Sequence, residues 1–263
     1  VGILCNGGLQ HERHPVVTPP FSVQAQRLRP DGSFGPATDQ EEIGLLYRPL
    51  VCQISRWDRL KGFKPLLEGF VRLKQSLDHP KQNRSERHRR QLELARLVLA
   101  GPDPASIQDD PEGEEVLADL CAAYRSLPPG LQQDVVLTWL PMASRKENAL
   151  MVNALQRCST VVVQNSLREG FGLTVTEGMW KNTGILASRA CGIRQQIRDG
   201  IEGKLIDDPE DSDGIAGLLN DFLEDVPNRT RLAQNAHRRV HQEFLIFTQV
   251  RRWLEVLAEQ ADR

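Results

Sequence analysis

Residues 164–188, "QNSLREGFGLTVTEGMWKNTGILAS", decide how this chain is read. The stretch leaves an apolar run, "STVVVQN" (159–165), and crosses a charged pair, Arg168 and Glu169, into a Gly170-Phe171-Gly172 loop. It continues as a helical segment, "LTVTEGMWK" (173–181), and closes on a second apolar run, "GILAS" (184–188). An apolar run, a loop, a helix and another apolar run make the βαβ unit of a parallel sheet.

Working outward, the same alternation extends from Arg48 onward. Strands are expected at "LVCQIS" (50–55), "LARLVLAG" (94–101), "DVVLTWL" (134–140) and "GKLID" (203–207) besides the two above. Helices are expected at 63–77, 113–127, 146–158, 173–181 and 211–225, with two more across 229–259. Strands that are apolar without interruption are buried on both faces, which predicts an α/β fold with a doubly wound, Rossmann-like parallel sheet. Residues 1–45 are rich in Pro, Gly and polar side chains and read as a linker or the remnant of an N-terminal domain, with "VGILC" a short strand. Residues 46–263 read as one Rossmann-like domain closed by C-terminal helices. The basic run "DHPKQNRSERHRRQLE" (78–93) has no interleaved aromatics and reads as a solvated surface loop.

Composition narrows the function. A chain of 263 residues with 40% hydrophobic and 26% charged residues is globular, and its net charge of -2 gives no general attraction to nucleic acid or an anionic membrane. No apolar run approaches the ~18 residues of a membrane span. The five cysteines, Cys5, Cys52, Cys121, Cys158 and Cys191, have no CxxC spacing and read as reduced thiols in a cytoplasmic protein.

In a doubly wound sheet the ligand lies beyond the carboxyl ends of the strands. There "QISRWDRLKGF" places Arg56 and Lys61 at the start of a helix, a pattern suited to a diphosphate or to two surface cations. Glu169 and Glu177 stand on either side of the Gly170–Gly172 loop. They can hold sugar hydroxyls from two sides, or pair with Arg168 and complement the helix dipole. The amides of Gly172, Leu173 and Thr174 are free to meet phosphate or hydroxyl oxygens. "ASRACGIRQQIRDGIEGKLI" supplies turns that could close the same crevice, or be turns and no more.

Taken together, R-x4-K, E-x7-E and the later glycine turn resemble the nucleotide-binding half of GT-B glycosyltransferases, glycosyltransferase family 4. "SLREGFGLTVTEGMWKNTGILASRACGIRQQIRDGIEGKLI", "LAGPDPASIQDDPEGEEVLADL" and "NALQRCSTVVVQNS" look most like its trehalose synthases and trehalose phosphorylases. The resemblance covers residues 46–260. It implies retaining glucosyl transfer from a nucleoside-diphosphate glucose to a sugar acceptor, with no metal and no other cofactor. Arg56 and Lys61 would neutralise the diphosphate. Glu169 would hold the hexose with the backbone of Gly170, Phe171 and Gly172. Leu173 and Thr174 would offer amides to phosphate, Glu177 would hold the ribose, and Met142 would contact the base through its backbone. Where such enzymes carry Gly-Gly and then Glu in the third segment, this chain reads "ACGIRQQI".

The resemblance also implies an acceptor-binding N-terminal domain that residues 1–45 are too short to supply. The chain is therefore expected to be a donor-binding part, inactive alone and able to oligomerise. Its rivals are a phosphorylase gripping inorganic phosphate, a non-catalytic nucleotide-sugar binding domain, and a nucleoside-diphosphate-sugar epimerase. A glycosidase fits less well, since Glu177 sits beside the phosphate helix. No G-x-G-x-x-G opens a βαβ unit, which argues against a dehydrogenase.

Overall fold

A computed structural model describes residue 9 and residues 21–39, 42–78, 84–107 and 111–261. Its strands in chain order are β1 (Gln26–Leu28), β2 (Phe34–Gly35), β3 (Leu50–Ile54), β4 (Arg96–Pro102), β5 (Val135–Leu140), β6 (Val161–Gln164), β7 (Gly184–Ser188) and β8 (Lys204–Ile206). The helices are α1 (Phe63–Gln75), α2 (Glu86–Leu94), α3 (Pro111–Arg125), α4 (Pro129–Gln132), α5 (Arg145–Cys158), α6 (Leu173–Trp180), α7 (Cys191–Gln196), α8 (Ser212–Glu224), α9 (Val226–Glu243) and α10 (Ile246–Ala261).

The strands form one sheet in the order β2-β1-β5-β4-β3-β6-β7-β8, parallel from β5 to β8. From β3 the chain builds outward through β4 and β5, then returns to lay β6 on the other side of β3. The order reverses between β3 and β6, and the switch point beyond their carboxyl ends is where a ligand crevice lies in such sheets.

Side-chain alternation explains why the sheet is covered twice. Val51, Leu97, Leu137 and Val161 enter the core against α1, α3 and α8, with Leu66, Phe70, Leu120 and Leu219 among their neighbours. Leu50, Cys52, Val98 and Val136 face the other way, onto Met151, Ala154 and Leu155 of α5. Val162 and Ile185 continue that second face beneath Val175 and Met179 of α6 and Ala236 and Val240 of α9. With a period of two, a strand buried on both faces has no polar side to show, which is why these runs are apolar throughout.

Three expectations are corrected. Residues 1–45 were set apart from the domain, yet β1 and β2 pair with each other and β1 with β5, Gln26 opposite Trp139, so a boundary at residue 46 cuts the sheet. Strands this short leave no periodicity to read. The "VGILC" strand lies outside the described residues. The basic run 78–93 is in part α2: the Ser85 hydroxyl accepts from the His88 amide at 3.2 Å, and His88 and Leu92 are buried one turn apart while Arg87, Arg89 and Arg90 stay exposed. This helix absorbs Leu94, so β4 starts two residues later than expected. Finally, the third glycine segment is not turns alone, because residues 191–196 form α7.

Candidate functional site

The crevice is built from the loops that follow β3 and β6. After β3, Ser55 to Gly62 turn through a 3-10 helix, Arg59–Lys61, capped by the Asp58 carboxylate on the Leu60 amide at 2.7 Å. Trp57 pins this loop. Its ring is buried, it packs tilted against Phe63 with centroids 5.0 Å apart, and its indole N–H donates to the Pro102 carbonyl at 2.8 Å. Gly62 then reverses the chain at φ 59°, and a Cβ there would fall 2.1 Å from the Asn165 carbonyl oxygen. Only glycine fits both constraints.

After β6, residues 165–172 form the second wall. The Leu167 amide donates to Leu60 O at 2.7 Å, tying the two loops backbone to backbone. Behind it α7 packs close: the Gly192 amide donates to Glu169 O at 3.0 Å, a Cβ at Gly192 would meet Gly170 O at 2.3 Å, and the Gln196 amide donates to Phe171 O. Gly172, at φ 89°, starts α6 with no side-chain cap. The amides of Leu173 and Thr174, in the first turn, have no acceptor within the helix and lie at the positive end of its dipole. The Thr174 hydroxyl donates to Ile54 O at 3.3 Å, which anchors this helix end against β3.

Two residues singled out from the sequence meet directly. Lys61 Nζ lies 2.8 Å from Glu169 Oε2, both side chains about one-sixth exposed, and the Ser166 hydroxyl reaches the same oxygen at 3.4 Å. Arg56 is not part of this pair. It is 69% exposed, with Asp58 Oδ2 at 4.0 Å. Gly170 is exposed with open space above it, and Phe171 lays its ring edge toward Phe244 at 6.2 Å. Leu173 is exposed at the helix tip. Glu177, on the second turn of α6, accepts from the amide of buried Gln156 at 3.0 Å. Burial pulls the neighbouring Lys181 ammonium below its ordinary value, with Glu177 opposing. Met142 stands after β5, two strands from β3, and its sulfur accepts from Asn148 Nδ2 at 3.2 Å.

Sequence reasoning passed over the buried amides of Gln53 and Asn165 and the anchor Trp57. The signal was a polar residue in the last positions of otherwise apolar strands, "VCQIS" and "VVVQN". Among the described residues, no helix is long and apolar enough to cross a membrane.

The model of the family "Glycosyl transferases group 1" matches residues 38–239. HepE from Anabaena, solved in complex with UDP-glucose, superposes with a TM-score of 0.62 at 20% identity, covering 83% of this chain and 51% of that one. The fold is thus the α/β, Rossmann-like fold found in GT-B glycosyltransferases. Trehalose synthase from Thermococcus litoralis is 32% identical over 215 residues, 80% of this chain and 44% of its own length. Trehalose phosphorylase from Pleurotus pulmonarius is 27% identical over 214 residues, 81% of this chain and 27% of its own. The chain belongs to the glycosyl transferases group 1 family, and it spans less than half the length of these two relatives.

Proposed function

We propose that this chain carries the donor half of a retaining glucosyltransferase that takes a nucleoside-diphosphate glucose and passes its glucosyl group to a sugar acceptor. The observation that carries this reading is the Lys61–Glu169 pair, 2.8 Å long, at the switch point between β3 and β6 beside an uncapped helix N-terminus. A cation, a carboxylate and open helix amides side by side suit a ligand with both a phosphate group and hydroxyls.

In this reading Lys61 and Arg56 take up the charge of the departing diphosphate, the task a metal ion performs elsewhere. The Leu173 and Thr174 amides add the positive end of α6. Glu169 accepts from the hexose hydroxyls, with the backbone of exposed Gly170 and Phe171 and of buried Gly172 beside it. Glu177, held by Gln156, accepts from the ribose, and the backbone after β5 at Met142 meets the base. As the bond from the anomeric carbon to the diphosphate breaks, charge grows on phosphate oxygens that already face fixed donors. Such preorganised donors stabilise the transition state without covalent chemistry. Acceptor and turnover depend on a second domain of the same protein.

The trehalose phosphorylase relative supports a second reading, in which the cations grip inorganic phosphate. Calorimetry separates the two. UDP or ADP is expected to bind in the presence of EDTA, and Arg56→Ala to weaken that binding several-fold. Binding of phosphate with no response to either nucleotide would overturn the transferase reading in favour of the phosphorylase one.

A further inference from the structure

We infer that Gln53 and Asn165 are positioning residues, a pair of buried amides that sets the place of Lys61 relative to Glu169; this rests on the reading of those two groups as the donor site. Both residues are fully buried, and neither touches the crevice through a charged group. Gln53 uses both ends of its amide. Its Nε2 donates to the Lys61 carbonyl at 2.7 Å, and its Oε1 accepts from the Asn165 backbone amide at 2.9 Å. Asn165 returns the link, its Nδ2 donating to Gly62 O at 3.0 Å and to Pro209 O at 2.8 Å.

The two amides close a ring of hydrogen bonds between the cation loop and the carboxylate loop. One loop belongs to β3 and the other to β6, strands whose ladder ends short of the crevice, with Cys52 opposite Val162 the last paired position. Beyond that position, among the described residues, the Leu167 amide on Leu60 O is a single backbone tie between the two loops, and the side-chain amides add the links nearest the Lys61 and Gly62 carbonyls. Gln53, with both ends of its amide met, tolerates little displacement, because an unmet partner in a dry site is costly, and among the described residues the Asn165 side chain is held through its Nδ2 alone. Lys61 extends from the residue whose carbonyl Gln53 holds, and Glu169 lies four residues beyond the amide that Gln53 also holds. The reach of the lysine is therefore set from behind, in the core, and not by its ion pair alone. Pro209 brings the loop after β8 into the same ring, so three strand ends share one fixed point.

The test is a double-mutant cycle on the full chain, with UDP binding read by calorimetry and folding by thermal melting. Lys61→Ala is expected to weaken UDP binding about tenfold in the wild-type background and about twofold or less once Gln53→Leu is present, because the lysine is then already misplaced. Asn165→Ala, which leaves Gln53 intact, is expected to blunt the Lys61→Ala effect in the same way and serves where Gln53→Leu does not fold. Leu92→Ala, a core change at the far end of the strands, is expected to lower Tm while leaving both UDP affinity and the Lys61→Ala effect as in wild type. An undiminished Lys61→Ala effect in the Gln53→Leu and Asn165→Ala backgrounds overturns the positioning role while leaving the donor-site reading intact. No Lys61→Ala effect in the wild-type background overturns the donor-site reading and the inference with it.

Discussion

Two lysines of this chain make ion pairs of the same length at opposite edges of one sheet. Lys74 Nζ lies 2.8 Å from Asp134 Oδ2 at the amino ends of the strands, and Lys61 Nζ lies 2.8 Å from Glu169 Oε2 at the carboxyl ends. Their surroundings differ. The Lys74 ammonium also donates to Leu92 O and Glu93 O, each at 2.8 Å, and Asp134 has Arg96 at 3.6 Å. An ammonium has three donors, and Lys74 has placed all of them. Burial pulls its pKa below the ordinary value, with Asp134 working against that pull. Lys61 has Glu169 as its single side-chain partner among the described residues, and keeps donors to spare. The difference teaches that distance alone does not tell a pair that serves the fold from one open to a ligand. Saturation does: the filled shell ties helices to strands, and the unfilled shell can accept a ligand.

The sharpest way to break this contrast is to remove each lysine in turn. Lys74→Met is expected to cost about 2–4 kcal/mol of stability, because it removes a buried ammonium from two backbone carbonyls and leaves the partly buried Asp134 carboxylate with Arg96, and to leave nucleotide affinity unchanged. Chemical denaturation with a parallel UDP titration checks both halves. Lys61→Ala should show the inverse pattern, an affinity loss with a small change in stability. Equal stability losses from the two would mean that both pairs are structural.

Gly192→Ala asks whether the walls of the crevice are as rigid as the pair they carry. Its new Cβ would lie 2.3 Å from a backbone oxygen of the Glu169 loop, so α7 or that loop must shift. About 1–3 kcal/mol of stability should be lost, with weaker UDP binding in the same variant. Retained affinity at reduced stability would show that α7 supports the loop without setting its position.

The smallest effect concerns a third ion cluster. Glu202 is buried to 1% exposure between Arg198 and Arg239. Burial works to raise its carboxyl, but the hydrogen bonds from Arg198 and the charge of Arg239 outweigh it and leave the group below its ordinary 4.5. A folded-state value below the unfolded one means stability that is present above about pH 4.5 and lost as the pH falls through the lower value. The Tm gap between wild type and Glu202→Gln should therefore be wider at pH 7 than at pH 3. A gap that does not narrow in acid would show that the Arg198 and Arg239 contacts add nothing to folding.

How much of this was legible follows from what each element uses for its stability. β3 to β8 were visible because strands buried on both faces are almost wholly apolar, and the longer helices α1, α3, α5 and α6 between them because each turns one apolar stripe inward. β1 and β2 were not, since strands of three and two residues carry no pattern and owe their place to the pairing of β1 with β5 and of β2 with β1. α2 hid inside a basic run because its inward residues are only His88 and Leu92. At the site, Lys61 and Glu169 were legible as charges standing just past strands, and the structure brings them into contact. Gln53 and Asn165 were not singled out, because a polar residue in the last turn of an apolar run carries no mark of whom it will bond. Arg56 illustrates the reverse case: a conspicuous charge that the structure leaves largely in solvent.

The Lys61–Glu169 contact joins residues 108 apart in sequence, across the return of the chain from β5 to β6. In kinetic terms no early, local element of the folding chain contains the site. Loops of that length close late and slowly compared with helices and hairpins. The candidate site comes into being only when β6 docks against β3, so on the proposed donor-site reading nucleotide-dependent protection during refolding would date the moment at which the two halves of the sheet meet.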